Sequence, residues 1–99
     1  MNYRSRTDIV AQILDAAAGG STKKKVMYKA FLSYAQLMDY LSILIHSSLL
    51  EYGPDRVYRT TPKGYRFLEL YAGIKEFLPE EANRTRPKRQ SQTEVLDLV

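Results

Sequence analysis

The chain has 99 residues, 44% of them hydrophobic, with no cysteine and a formal charge of +4, which is enough apolar content for one modest core without metal or disulfide staples. The lack of cysteine excludes a disulfide framework and a thiolate metal site and suits a reducing, intracellular setting. The amino-terminal MNYRSRTD has no apolar h-region and no apolar run approaches the roughly 20 residues a bilayer requires, so neither secretion nor membrane spanning is expected.

Ile9, Ile13, Leu14 and Ala17 recur at helical spacing and predict a first helix over about 8–18, with Thr7 placed to cap it and Gly19-Gly20 to end it. Ser21 or Thr22 can cap a second, short helix over about 23–30, whose apolar side is Val26, Met27 and Ala30. Its first turn carries Lys23, Lys24 and Lys25, against the preference of a helix dipole for acidic residues there. Helix stability therefore does not explain the lysines. Ser33-Tyr34-Ala35-Gln36 reads as a capping box, which divides the run from Lys23 to Leu44 into two helices meeting at a corner. In the third helix, Tyr34, Leu37, Met38, Leu44, Ile45 and Ser48 fall within about 60° of Leu41 and form the expected buried stripe. Gln36, Asp39, Ile43 and His46 point outward, with Tyr40 on the flank.

Two short strands follow, over about 49–52 and 57–60, joined by the turn Gly53-Pro54-Asp55-Arg56. Thr61-Pro62 supplies a cap and a first-position proline for a last helix with Tyr65, Leu68, Tyr71, Ala72 and Ile74 on its apolar side. Pro79 should stop it. Residues 79–99 lack periodicity and are expected to be a disordered tail, although Val95, Leu96, Leu98 and Val99 could dock as a short apolar peptide. Residues 1–78 form the expected domain and hold 11 Lys/Arg against 7 Asp/Glu, while the tail holds 4 against 4. All the excess positive charge lies on the part expected to fold.

Three helices, a two-stranded wing and a C-terminal helix make a mainly α architecture with a small β-hairpin, the winged helix-turn-helix order. Met27-Tyr28, Leu32-Ser33-Tyr34, Gln36-Leu37, Tyr40-Leu41, and Tyr58, Thr61 and Gly64 after the wing turn stand at spacings that resemble the small archaeal winged helix-turn-helix family. That family includes a roughly ten-kilodalton chromatin-associated DNA-binding protein, and the resemblance covers about residues 5–75. Three departures stand out. Lys24 occupies the position of a common threonine cap, Thr60 replaces an apolar wing residue, and Pro79 cuts short the long C-terminal helix that pairs subunits in the chromatin-type members.

The resemblance implies double-stranded DNA as partner, with the second helix crossing the backbone and the third meeting base edges. Lys23, Lys24, Lys25 and Lys29 would then contact phosphates, although the run by itself equally describes a solvated helix face. Arg56 and Arg59 of the wing would lie along the backbone or be ordinary hairpin solubilisers. Ser33 and Gln36 stand where bases are read, yet the capping box also claims both. Tyr40 would touch phosphate or pack as a structural tyrosine. Asp39 repels phosphate but can accept from cytosine N4, and Ile43 could meet a thymine methyl or a second subunit.

His46 is the sole histidine and no glycine-rich phosphate loop follows a strand, so neither an enzyme, a cofactor nor a metal site is expected. The sequence is read as that of a nucleoid-associated, cytoplasmic DNA-binding protein, a transcriptional regulator dimerising through its last helix. An architectural chromatin protein and a protein-interaction module are the alternatives.

Overall fold

The computed structural model describes residues 4–77. Helix α1 spans Arg6–Ala16 and begins two residues earlier than its apolar spacing indicates, because Ser5 and not Thr7 is the cap. Asp8 N–H donates to Ser5 Oγ at 3.0 Å and Ser5 N–H donates back to Asp8 Oδ2 at 3.1 Å. This reciprocal pair satisfies two of the amides a helix start leaves unpartnered. Helix α2 spans Lys23–Ala30, capped by the Thr22 hydroxyl, which accepts from Lys25 N–H at 3.3 Å.

Phe31, the residue after α2, adopts the left-handed conformation at φ 54°, ψ 51°. Leu32 N–H reaches back to Met27 O and Phe31 N–H to Tyr28 O, which closes the last turn. Glycine normally fills such a position, since a side chain there costs about 1–2 kcal/mol. Arg4 fastens the same end: its guanidinium donates to Ala30 O at 2.5 Å, to Phe31 O at 2.9 Å and to Gln12 Oε1. A cation on the last carbonyls of a helix also complements its dipole.

Helix α3, Tyr34–His46, opens with the expected box: Gln36 N–H donates to Ser33 Oγ at 3.2 Å and Ser33 N–H to Gln36 Oε1 at 3.1 Å. Leu37, Leu41 and Leu44 are buried, but the stripe is narrower than expected, and Tyr34, Ile45 and Ser48 are exposed. The buried arc is rotated toward Tyr40, which packs against the core, and the Arg6 guanidinium lies 5.9 Å from the Tyr40 ring centroid. Tyr34, in the first turn, projects past the edge of the core.

Strands β1, Leu50–Tyr52, and β2, Tyr58–Thr60, pair antiparallel with Leu50 opposite Thr60, Glu51 opposite Arg59 and Tyr52 opposite Tyr58. Ser21 joins β2 as a single bridge, its N–H donating to Tyr58 O at 2.9 Å and Tyr58 N–H donating to Ser21 O at 2.7 Å. Thr60, which stands in place of an apolar wing residue, is buried with its hydroxyl donating to Leu14 O at 2.6 Å, so the polar atom there is satisfied.

Helix α4, Pro62–Phe77, starts at Thr61, whose hydroxyl accepts from Gly64 N–H at 3.1 Å. Gly64 is buried against the turn before β1, where an added Cβ would sit 2.5 Å from Leu49 O.

The chain divides into two units, Met1–Glu69 and Leu70–Val99. The first holds a core centred on Ile13, Leu14, Val26, Leu37, Leu44 and Leu50. The described part of the second is the end of α4, where Leu70, Ile74 and Phe77 are exposed. The expected boundary at Pro79 and the expected tail lie outside the described residues. Among the described residues no helix is long and apolar enough to cross a membrane.

Candidate nucleic-acid interface

The outward face of α3 is formed by Ala35, Gln36, Asp39, Ser42, Ile43 and His46, all exposed. Their spacing follows from the helical repeat once Leu37, Leu41 and Leu44 are buried. Ser33 and Gln36 stand at the N-terminal end of this face, and both are engaged in the capping box. Gln36 Oε1 is an acceptor in that box, while its amide nitrogen has two hydrogens to offer. A bidentate contact to adenine would require Gln36 to release Ser33, whereas a single donated bond would not.

α2 contributes Lys24, Lys25 and Lys29, which are exposed and have no acidic partner among the described residues. Lys23 differs. It is half-buried, and its ammonium lies 5.5 Å from the Tyr34 ring centroid. On the wing, Tyr52 and Tyr58 meet as a tilted pair with centroids 4.5 Å apart. Burial pushes the Tyr58 phenol above its ordinary value, an effect opposed by Lys23 and reinforced by Tyr52 and Tyr34. Lys23 and Tyr34 thereby pair α2 with α3, and Tyr52 pairs with Tyr58 across the wing strands.

The two wing arginines are placed differently. Arg56 is exposed at the tip of the turn at φ 64°, another left-handed residue where glycine would be favoured. Its N–H donates to Gly53 O at 3.0 Å, which fixes the tip. Arg59 is instead held by Asp55 through Nη2 to Oδ2 at 2.8 Å and Nη1 to Oδ1 at 3.3 Å, and it faces Glu51 across the hairpin. The guanidinium holds the Asp55 carboxyl below the usual carboxylate range. Strand alternation puts Arg59 on the face opposite Tyr52 and Tyr58. Asp55 therefore neutralises much of Arg59, while Arg56 has no such ion pair among the described residues.

Tyr40 is half-buried, packed on the core and beneath Arg6, so much of its ring serves the fold. Two exposed aromatics that were not among the expected contact residues flank the corner: Tyr28 is 79% exposed and Phe31 is 78% exposed. Helical spacing alone gave no reason to mark Phe31, which follows a helix and precedes a cap. Among the described residues no cluster of His, Cys, Asp or Glu is arranged to hold a metal ion.

The profile of the winged helix-turn-helix family matches residues 3–78. Among solved structures, Sso10a-2, a DNA-binding protein from Sulfolobus solfataricus, is similar with a TM-score of 0.65 and 24% sequence identity over 88% of this chain and 99% of that one. At that identity the likeness is one of fold. No curated protein matches the chain in sequence.

Proposed function

The chain belongs to the winged helix-turn-helix family, and on that premise we propose that it binds double-stranded DNA as a transcriptional regulator, reading bases with α3. The observation that carries this reading is the exposed outward face of α3, with Lys24, Lys25 and Lys29 of α2 free of ion pairs among the described residues and Arg56 exposed at the wing tip. Lysines and arginine hold phosphates and set register, and Ser33, Gln36 and Ile43 meet base edges. Arg59 and Tyr40 play a smaller part because Asp55 and the core already occupy them. The similar Sulfolobus protein is described as DNA-binding, which supports the same partner here. Work on DNA would place the protein at the nucleoid, and the reading contains no catalytic step.

One winged helix makes few contacts, and two copies related by a two-fold axis would double them on a palindromic site. Leu70, Ile74 and Phe77, exposed at i, i+4 and i+7 on α4, supply an apolar stripe for that pairing. A monomer mass in sedimentation at tens of micromolar protein would remove the dimer from the proposal.

Selection of bound duplexes from a random pool, at two salt concentrations, tests the function. Enrichment of one motif is the expected result. Uniform recovery would favour an architectural chromatin role, and recovery of nothing would favour a protein-interaction module.

A further inference from the structure

Lys24 and Tyr28 are one turn apart on α2, with Lys25 and Lys29 forming the adjacent row, and Phe31 follows directly at the helix end. The two rings are almost wholly in solvent, so the core does not require them. Nor does the turn require Phe31, because its φ of 54° favours glycine. α2 has no acidic residue, and the Arg4 guanidinium adds a further cation at the Phe31 end. The result is a surface that sets cations beside two exposed aromatic rings, one of them on a backbone conformation that glycine would adopt more readily.

We propose that this face of α2 is a stacking platform for the unpaired bases of a single-stranded nucleic acid, Tyr28 and Phe31 taking base faces while Lys24, Lys25 and Lys29 hold phosphates. Bases in a duplex present only their edges in the grooves, and their flat faces are covered by their neighbours. An unpaired base offers the face itself, with no demand on its sequence. A protein partner fits less well, because lysine is depleted at the centre of protein interfaces. The inference goes beyond duplex recognition by α3, which uses the lysines and has no need of the rings.

The test uses the full chain, a labelled oligothymidylate or oligouridylate of about 12 nucleotides, and a duplex, each titrated by fluorescence anisotropy. Phe31→Gly relaxes the backbone and removes one ring, Tyr28→Ala removes the other, and melting temperatures confirm that both variants fold. Single-strand affinity should fall roughly tenfold or more for each, with duplex affinity unchanged, and Phe31→Trp should retain it. The two single strands show whether the sugar matters to a platform that contacts bases and phosphates.

Wild-type protein that binds the duplex alone, or ring variants that keep full single-strand affinity, would overturn the inference and leave the duplex reading intact. Equal losses on single strand and duplex would also overturn it, since the rings would then serve the duplex. Loss confined to single strands, in a protein that binds no duplex, would uphold the platform and remove the α3 reading.

Discussion

The substitution Gln36→Glu separates folding from recognition, because the capping box needs an acceptor at this position and base reading needs a donor. The introduced carboxylate would accept from Ser33 N–H as Gln36 Oε1 does at 3.1 Å. A negative charge in the first turn of α3 gains about 0.3–1 kcal/mol from the dipole. Asp39 is exposed three residues on, and like charges at that spacing return about 0.2–0.5 kcal/mol. The balance lies between roughly −0.2 and +0.8 kcal/mol, which shifts the melting temperature of a domain this size by about −2 to +6 °C. Recognition weakens. The variant loses the amide donor, at about 1–3 kcal/mol on the preferred duplex, or roughly 5- to 150-fold in affinity. Scanning calorimetry and binding isotherms on preferred and scrambled duplexes measure the two effects in one preparation. Melting several degrees below wild type would refute the capping account, and unchanged affinity and preference would refute the role of Gln36 in reading bases.

Lys24→Ala, Lys25→Ala and Arg56→Ala should each weaken binding to all sequences and lower the log–log salt slope by about 0.9, whereas Arg59→Ala should change it less because Asp55 already holds that charge. Gly64→Ala brings a methyl within 2.5 Å of Leu49 O and 2.6 Å of Thr60 Cγ2. Overpacking of about 1–3 kcal/mol outweighs the roughly 1 kcal/mol gained in helix propensity, so chemical denaturation should show a less stable protein. The Tyr58 phenol has a raised folded value, so the stability it contributes is present below its ordinary value near 10 and is lost as pH rises through the folded one. Melting curves across that alkaline window should decline for wild type and decline less for Tyr58→Phe.

The capping boxes show which features were legible in the sequence. Ser33 and Gln36 are three residues apart, and their bonds depend only on local backbone geometry, so the corner and the bounds of α2 could be read directly. Thr61-Pro62 was readable for the same reason. At α1 the nearer Thr7 drew attention from Ser5, although Asp8 three residues on completes the better pair. Tyr34 illustrates a longer-range limit: a helical wheel gives its direction but not where the core ends. The left-handed residues Phe31, Ser48 and Arg56 were invisible, since none is glycine and hydrogen bonds close each of these turns. Arg59 looked equivalent to Arg56 until the hairpin brought Asp55 against it.

The bridge between Ser21 and Tyr58 turns the wing and the start of α2 into a caliper of fixed opening. Two hydrogen bonds clasp the segment leading into Lys23 to the strand that follows the Arg56 turn, so neither jaw can swing without breaking both. On the proposed reading, a duplex that touches both jaws would meet two elements already tied together, and any deformation needed to fit them would cost an energy that depends on the sequence being bent. Preference for particular DNA could therefore arise at base pairs that no side chain touches, set by the stiffness of the clasp.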